Sequence, residues 1–211
     1  MPGGPRATLR ALARDHARDS SRPTEILVNR RVGSVLIALL IAGCSSRGDG
    51  GSTALGEVRG SAAGIGWSVP REWSDAGERP MRVATYAIPS SGAEPAECAV
   101  FFFGAGQGGD VDANQQRWVD QFEAGARATR SSSAVNGLRV ARIEVEGRYL
   151  APSGPRMESQ GSKPGWRLLG AIVEAPQGMV FFKSIGPARA LEQARPAFDA
   201  MVASVRKDSL P

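Results

Sequence analysis

Histidine is almost absent from this chain, with one residue, His16, in 211. Beyond that position there is no imidazole to act as a general base. Ser-His-Asp and Cys-His catalysis are excluded there, and so are zinc sites built on histidine. Cysteine is nearly as scarce: Cys44 and Cys98 are the only two, too few for a cysteine cluster around a metal. Cys98 lies within the apolar run from Cys98 to Phe103 and reads as a small buried side chain. No apolar stretch approaches the roughly 20 residues that a membrane-spanning helix needs. The run over residues 32–43 has twelve, which as a helix would reach about 18 Å.

That short run is framed by informative neighbours. Arg30 and Arg31 precede it, and Val35 to Ser46 reads VLIALLIAGCSS, with small residues leading into Cys44. Positive charge, a short apolar core and small residues before a cleavage point are the parts of an export signal. The stretch resembles a bacterial lipoprotein signal peptide with the lipobox Ile41-Ala42-Gly43-Cys44. The resemblance implies that residues 1–43 are removed and that the Cys44 sulfur carries lipid. The remainder would then be held at a membrane of the cell envelope, on its periplasmic or extracytoplasmic face. Each buried lipid methylene contributes about 0.8 kcal/mol, so two or more chains anchor stably. Residues 1–27 are long for the basic segment of such a signal and include Asp15, Asp19 and Glu25. A true start near Val28 is therefore also expected.

The charge excess belongs mainly to this leading segment. Lys and Arg number 26 against 21 Asp and Glu, net +5. Seven arginines and three acids precede Cys44, leaving 19 against 18 and a net charge of +1 for the rest. A nucleic-acid binder needs a strong basic patch, so no nucleic-acid partner is expected.

After the lipidation site, residues 44–60 are rich in Gly and Ser and read as a flexible tether. Residues 61–211 are enough for one globular domain. Strands are expected over residues 63–69, 81–88, 98–103, 138–145, 166–175 and 179–185, the last two forming a hairpin around Pro176-Gln177-Gly178. Asp110 is placed to cap a helix over residues 111–124, with Trp118, Val119 and Phe122 inward and Asn114, Gln115, Arg117 and Asp120 facing water. Residues 125–136 read as a polar loop. A closing helix begins at Pro187, with Leu191, Ala194, Phe198, Met201, Val202 and Val205 inward; Pro196 should kink it or start a second helix. The expected class is α+β, a mostly antiparallel sheet of about six strands with helices packed on it.

Few motifs carry chemistry. Gly104 to Gly109 matches G-x-G-x-x-G after a strand and before a helix. Yet Asp110 and Asp112 put negative charge where a pyrophosphate would sit, and later strands do not alternate with helices. A permissive turn is the better reading, and no cofactor is expected. Asp110, Asp112 and Asn114 resemble the start of a calcium loop, but Gln115 and Gln121 stand where Gly and Glu are required. Helix capping accounts for the acids, and no metal is expected. Glu144, Glu146 and Glu174 could form an acid/base pair but read as a solvated strand face. Trp67, Trp73, Trp118 and Trp166 read as packing residues. Among Phe101, Phe102, Phe103, Phe181 and Phe182, adjacent residues must point to opposite faces. Phe102 and Phe182 are taken as the pair that lines a ligand groove.

The layout from Gly66 to Ser204 resembles the PsbP-like fold family. The resemblance is carried by the opening strand with Trp67-Ser-Val-Pro70-Arg-Glu-Trp73 and by the central strand leading into a helix. It extends to the closing hairpin, Gly186-Pro187 and the helix with Phe198, Met201 and Ser204. Family members are mostly binding or assembly proteins, which implies a non-enzymatic, protein-binding or envelope-assembly factor with an envelope protein as partner. The alternative is a small-molecule or lipid-binding module using a groove between the Phe-rich sheet and a helix.

Overall fold

The computed structural model describes residues 55–208, apart from 93, 154–157 and 160. The chain divides into two units after Arg47, and all described residues belong to the second. His16 and the lipobox with Cys44 lie outside the described residues. Among the described residues, no helix is long and apolar enough to cross a membrane.

The chain opens with β1 (Leu55–Ala62), β2 (Ile65–Pro70), β3 (Ser74–Asp75), β4 (Ala84–Ile88) and β5 (Ala96–Phe102). Helix α1 (Val111–Val119) is followed by β6 (Arg127–Val135), β7 (Leu138–Tyr149), β8 (Pro152–Ser153) and β9 (Glu158–Ser159). Then come β10 (Lys163–Ala175), β11 (Gly178–Pro187), α2 (Ala188–Ala203) and β12 (Arg206–Lys207). The main sheet has seven strands in the order β3-β4-β5-β11-β10-β7-β6, with every pairing antiparallel. β1, β2 and β12 form a three-stranded sheet, and β8 pairs with β9. The class is α+β, as the strand pattern predicts, with more strands than the six expected.

Two predicted non-strand segments are strands. β1 begins at Leu55, inside the Gly/Ser-rich stretch read as tether, because its backbone pairs with β2 from Leu55↔Pro70 to Ala62↔Ile65. Residues 127–135, read as a loop, form β6 at the edge of the main sheet. Most of its side chains are exposed, so no apolar alternation marks it in the sequence.

The main sheet is covered unequally on its two faces. On one face α2 and β2 bury a large core with Trp67, Phe182, Leu191, Phe198 and Met201. All six predicted inward residues of the closing segment are buried. One helix runs through Pro196, whose ring lies on the exposed side; no second helix begins there. On the other face nine-residue α1 seats Trp118 over Gly170, where a Cβ would meet the indole at 2.3 Å. Phe122, just beyond the helix, packs on Tyr149. A helix this short covers only part of a seven-stranded face.

Asn114 and Gln115 are buried rather than facing water. Each satisfies a backbone carbonyl: the Asn114 amide donates to Gly108 O and Asp110 O, and Gln115 donates to Arg142 O at 3.1 Å. The polar side chains fasten α1 to the sheet, and hydropathy alone does not reveal that. Asp110 accepts from Ala113 N at 2.8 Å, the expected N-cap.

Candidate functional site: an aromatic corner on the lightly covered face

Strand alternation decides which phenylalanines reach solvent. Phe101 and Phe103 point to the α1 side of the main sheet, and Phe102 points to the α2 side. Ala84 pairs with Val100, and Val83 N donates to Val100 O at 2.8 Å, which carries the pairing one step further and sets Val83 beside Phe101. The exposed large hydrophobic residues among those described are Met81, Val83 and Phe103, at 77%, 41% and 42% exposure. Met81 and Val83 precede β4 and Phe103 follows β5, and these strand ends adjoin through Ala84↔Val100. Phe103 stacks on Phe101 with ring centroids 6.0 Å apart and leans on Phe181 at 5.6 Å. The Arg82 guanidinium, flanked in the chain by Met81 and Val83, lies 5.7 Å from the Phe101 centroid and 2.9 Å from Glu97 Oε1.

The backbone around this corner is unusual. Met81 has φ of +63°, a left-handed conformation in which a bulky residue is rare. The corner therefore holds a large apolar side chain outward at a local conformational cost. Gly104, Gly106, Gly108 and Gly109 all have positive φ, so the glycine loop is the permissive turn that the sequence predicts. A Cβ on Gly108 would lie 3.0 Å from the Phe181 ring, so the loop closes directly on that aromatic. Antiparallel neighbours and the Asp110 cap exclude the dinucleotide reading of this loop.

Behind the corner lies Lys183, cross-strand from Ala99 and two residues from Phe181 on the same face. Its ammonium donates to Gln121 Oε1 at 2.6 Å. Burial lowers its pKa to about 8; Arg82 pushes the same way and Glu97 opposes. Further along this face Tyr149 stacks on Trp166 at 5.2 Å, and Lys163 Nζ sits 4.4 Å from the Trp166 ring centroid.

The predicted groove residues sit elsewhere. Phe182 has 0% exposure and meets Trp67 edge-on in the core under α2, so it lines no groove. Phe102 is half-buried on that same side, against Gly178. Alternation splits the phenylalanines as expected, and the one most open to solvent is Phe103, on the opposite face from Phe102 and Phe182. A groove of about 240 Å³ does lie between α2 and the sheet, yet it is ionic, with Arg142 2.6 Å from Asp199 and Arg195 paired with Glu144.

The other sequence candidates are structural in this fold. Glu146 and Glu174 are held by Arg167 and Arg139, as Glu144 is by Arg195. The hydrogen bond from Arg167 lowers the Glu146 pKa, which suits an ion pair rather than a proton donor. Trp67, Trp73, Trp118 and Trp166 are all buried, as packing residues should be. Cys98 is a fully buried free thiol, pushed up to about 12 by desolvation, and so is not a nucleophile.

No protein-family model matches this chain, and neither does any curated protein. Among solved structures, the solution structure of cyanobacterial PsbP (CyanoP) from Synechocystis sp. PCC 6803 is similar at a TM-score of 0.45 and 13% identity, over 78% of this chain and 98% of that one. The crystal structure of PA94, a protein of unknown function from Pseudomonas aeruginosa, is similar at a TM-score of 0.41 and 14% identity, over 73% of this chain and 96% of that one. The α+β assignment rests on the strand order itself.

Proposed function

We propose that this protein is a lipid-anchored, non-enzymatic binding module of the cell envelope that docks a protein partner at the Met81–Val83–Phe103 corner. The observation that carries the docking reading is that all three exposed large hydrophobic residues among those described lie at the adjoining ends of β4 and β5, with Val83 bonded to Val100 and Phe103 stacked on Phe101. Exposed apolar patches mark interaction sites, and an aromatic beside an arginine is the composition of interface hot spots. The anchor rests on the sequence alone, on Arg30, Arg31 and the lipobox ending at Cys44.

Native mass spectrometry of the full chain extracted gently from membranes tests the anchor. A mass beginning at Cys44 plus acyl groups is expected; an unlipidated chain that still contains His16 would overturn it. Docking is tested by crosslinking in intact cells, comparing wild type with Phe103→Asp. A specific crosslinked protein should fall about tenfold or more in the variant, the loss of one hot-spot side chain. Equal crosslinking with unchanged thermal stability would rule out this corner.

A second reading keeps the small-molecule role. A cleft of about 410 Å³ opens beside the three-stranded sheet, lined by Arg59, Asp75, Arg79, Arg82 and Tyr86. Its volume falls in the range of ligand sites, and its lining, which also includes Glu78, suits a small polar molecule rather than lipid. Extra bound mass below that of a protein, in the same native spectrum, would favour it.

A further inference from the structure

The two edges of the main sheet differ sharply. One edge is β3, of two residues. The other is β6, nine residues long and paired only with β7 among the described residues. Its register with β7 runs without a shift from Arg127↔Glu146 to Val135↔Leu138. It contains no proline, lysine or bulge, the devices that usually blunt an edge. Its two charged side chains turn back over their own molecule: Arg127 reaches Glu146 at 3.0 Å and Arg130 reaches Gln116 at 3.1 Å. The outward row of backbone donors and acceptors is left clear.

The β6 sequence is close to self-complementary about its midpoint. Laid antiparallel against a second copy with Ser131 on the two-fold axis, Ala128 faces Ala134, Thr129 faces Ser133, and Ser131 faces Ser131. Arg130 falls opposite Ser132 and Arg127 opposite Val135, so no two charges are directly opposed. This register uses all nine residues, and each arginine meets a small or apolar side chain rather than another charge. Centring on Arg130 instead would oppose two arginines. A two-fold perpendicular to the sheet also keeps α1 and α2 of each copy on matching faces.

We propose that the protein forms a two-fold dimer by antiparallel pairing of β6 with β6 of a second copy, joining the two main sheets into one. The contact is isologous and closes, so it stops at two copies. It is independent of the aromatic corner, at the other side of the sheet order.

The test uses the residue on the axis. Ser131 is exposed and lies cross-strand from Arg142, so the fold accommodates glutamate there while lysine meets one like charge, which the equimolar mixture controls for. In a dimer, however, Ser131→Glu sets carboxylate against carboxylate, and Ser131→Lys sets ammonium against ammonium. Native mass spectrometry and sedimentation of the full chain should show a wild-type dimer and each variant alone as monomer. An equimolar mixture of the two variants should show recovered heterodimer. Recovery in the mixture cannot come from misfolding of either variant. A wild type that stays monomeric across its soluble range would overturn the proposal. So would a dimer that persists in both variants, since it must then use another surface.

Discussion

Replacing Trp67 with alanine lowers the unfolding free energy by about 3–5 kcal/mol, the range for truncating a buried aromatic. The indole has 0% exposure and joins three layers of the core. Its N–H donates to Tyr86 Oη at 3.1 Å, its ring meets Phe182 edge-on at 5.1 Å, and its face lies on Gly60, where a Cβ would approach the indole within 2.3 Å. Truncation removes the wedge between the small sheet and β4, β5 and β11. Gly60, the β1 residue under the indole, has no side chain to refill the space. The Tyr86 hydroxyl also loses its donor, but it lines the 410 Å³ cleft, so water can replace that bond at little cost. Domains of this size are stable by only about 5–15 kcal/mol, so the loss is a large fraction of the whole. Urea denaturation of wild type, Trp67→Phe and Trp67→Ala measures it. Phenylalanine should recover much of the packing and lose mainly the hydrogen bond, about 1 kcal/mol. An alanine variant within about 1 kcal/mol of wild type would show that the core collapses around the gap.

The sequence exposes those parts of the fold in which burial is periodic. β5, the β10–β11 hairpin and α2 have strong apolar patterns, and each is found close to its expected position. β6 is invisible for a physical reason. It is stabilised by backbone pairing with β7 and buries almost no side chain, so Arg, Thr and Ser occupy it without penalty. β1 escapes notice likewise, since Gly60 is there to receive Trp67 and glycine otherwise signals flexibility.

The candidate site was half legible. Adjacent phenylalanines must split between faces, and they do. Which set meets solvent depends on α2 being long and α1 short, a difference in coverage that local periodicity does not contain. Phe182 therefore went to the core and Phe103 to the surface. Met81 and Val83 fit an alternating strand on paper. Only the start of β4 at Ala84, after a left-handed Met81, turns them into surface residues.

Lys183→Met removes a contribution to stability that rises with pH between about pH 8 and 10 in the wild type. The lysine ammonium is lowered from its ordinary 10.5 to about 8 in the folded chain, chiefly by burial. Below pH 8 it is charged in both states, and the folded state bears the full cost of holding it. Between pH 8 and 10.5 the folded state has released the proton while the unfolded chain still binds it. Stability then increases with pH, because the unfolded state carries more protons. Other groups act in the opposite direction. Cys98 is pushed up from 9.0 to about 12, and Tyr86 and Tyr149 are raised by burial, so each favours the unfolded state once its ordinary value is passed. These contributions are common to wild type and variant, so the difference between their two curves isolates Lys183. A displacement of this size is worth at most about 3 kcal/mol, and solvent reaching the half-buried stem reduces it, so about 1–3 kcal/mol is expected. Urea titrations of both proteins from pH 7 to 10 give the difference directly. The wild type should gain relative to Lys183→Met as pH rises. A difference that stays flat would mean that the amine titrates as a free lysine, and that water reaches the sheet behind Phe101 and Phe103 even though Gln121 is hydrogen-bonded across it.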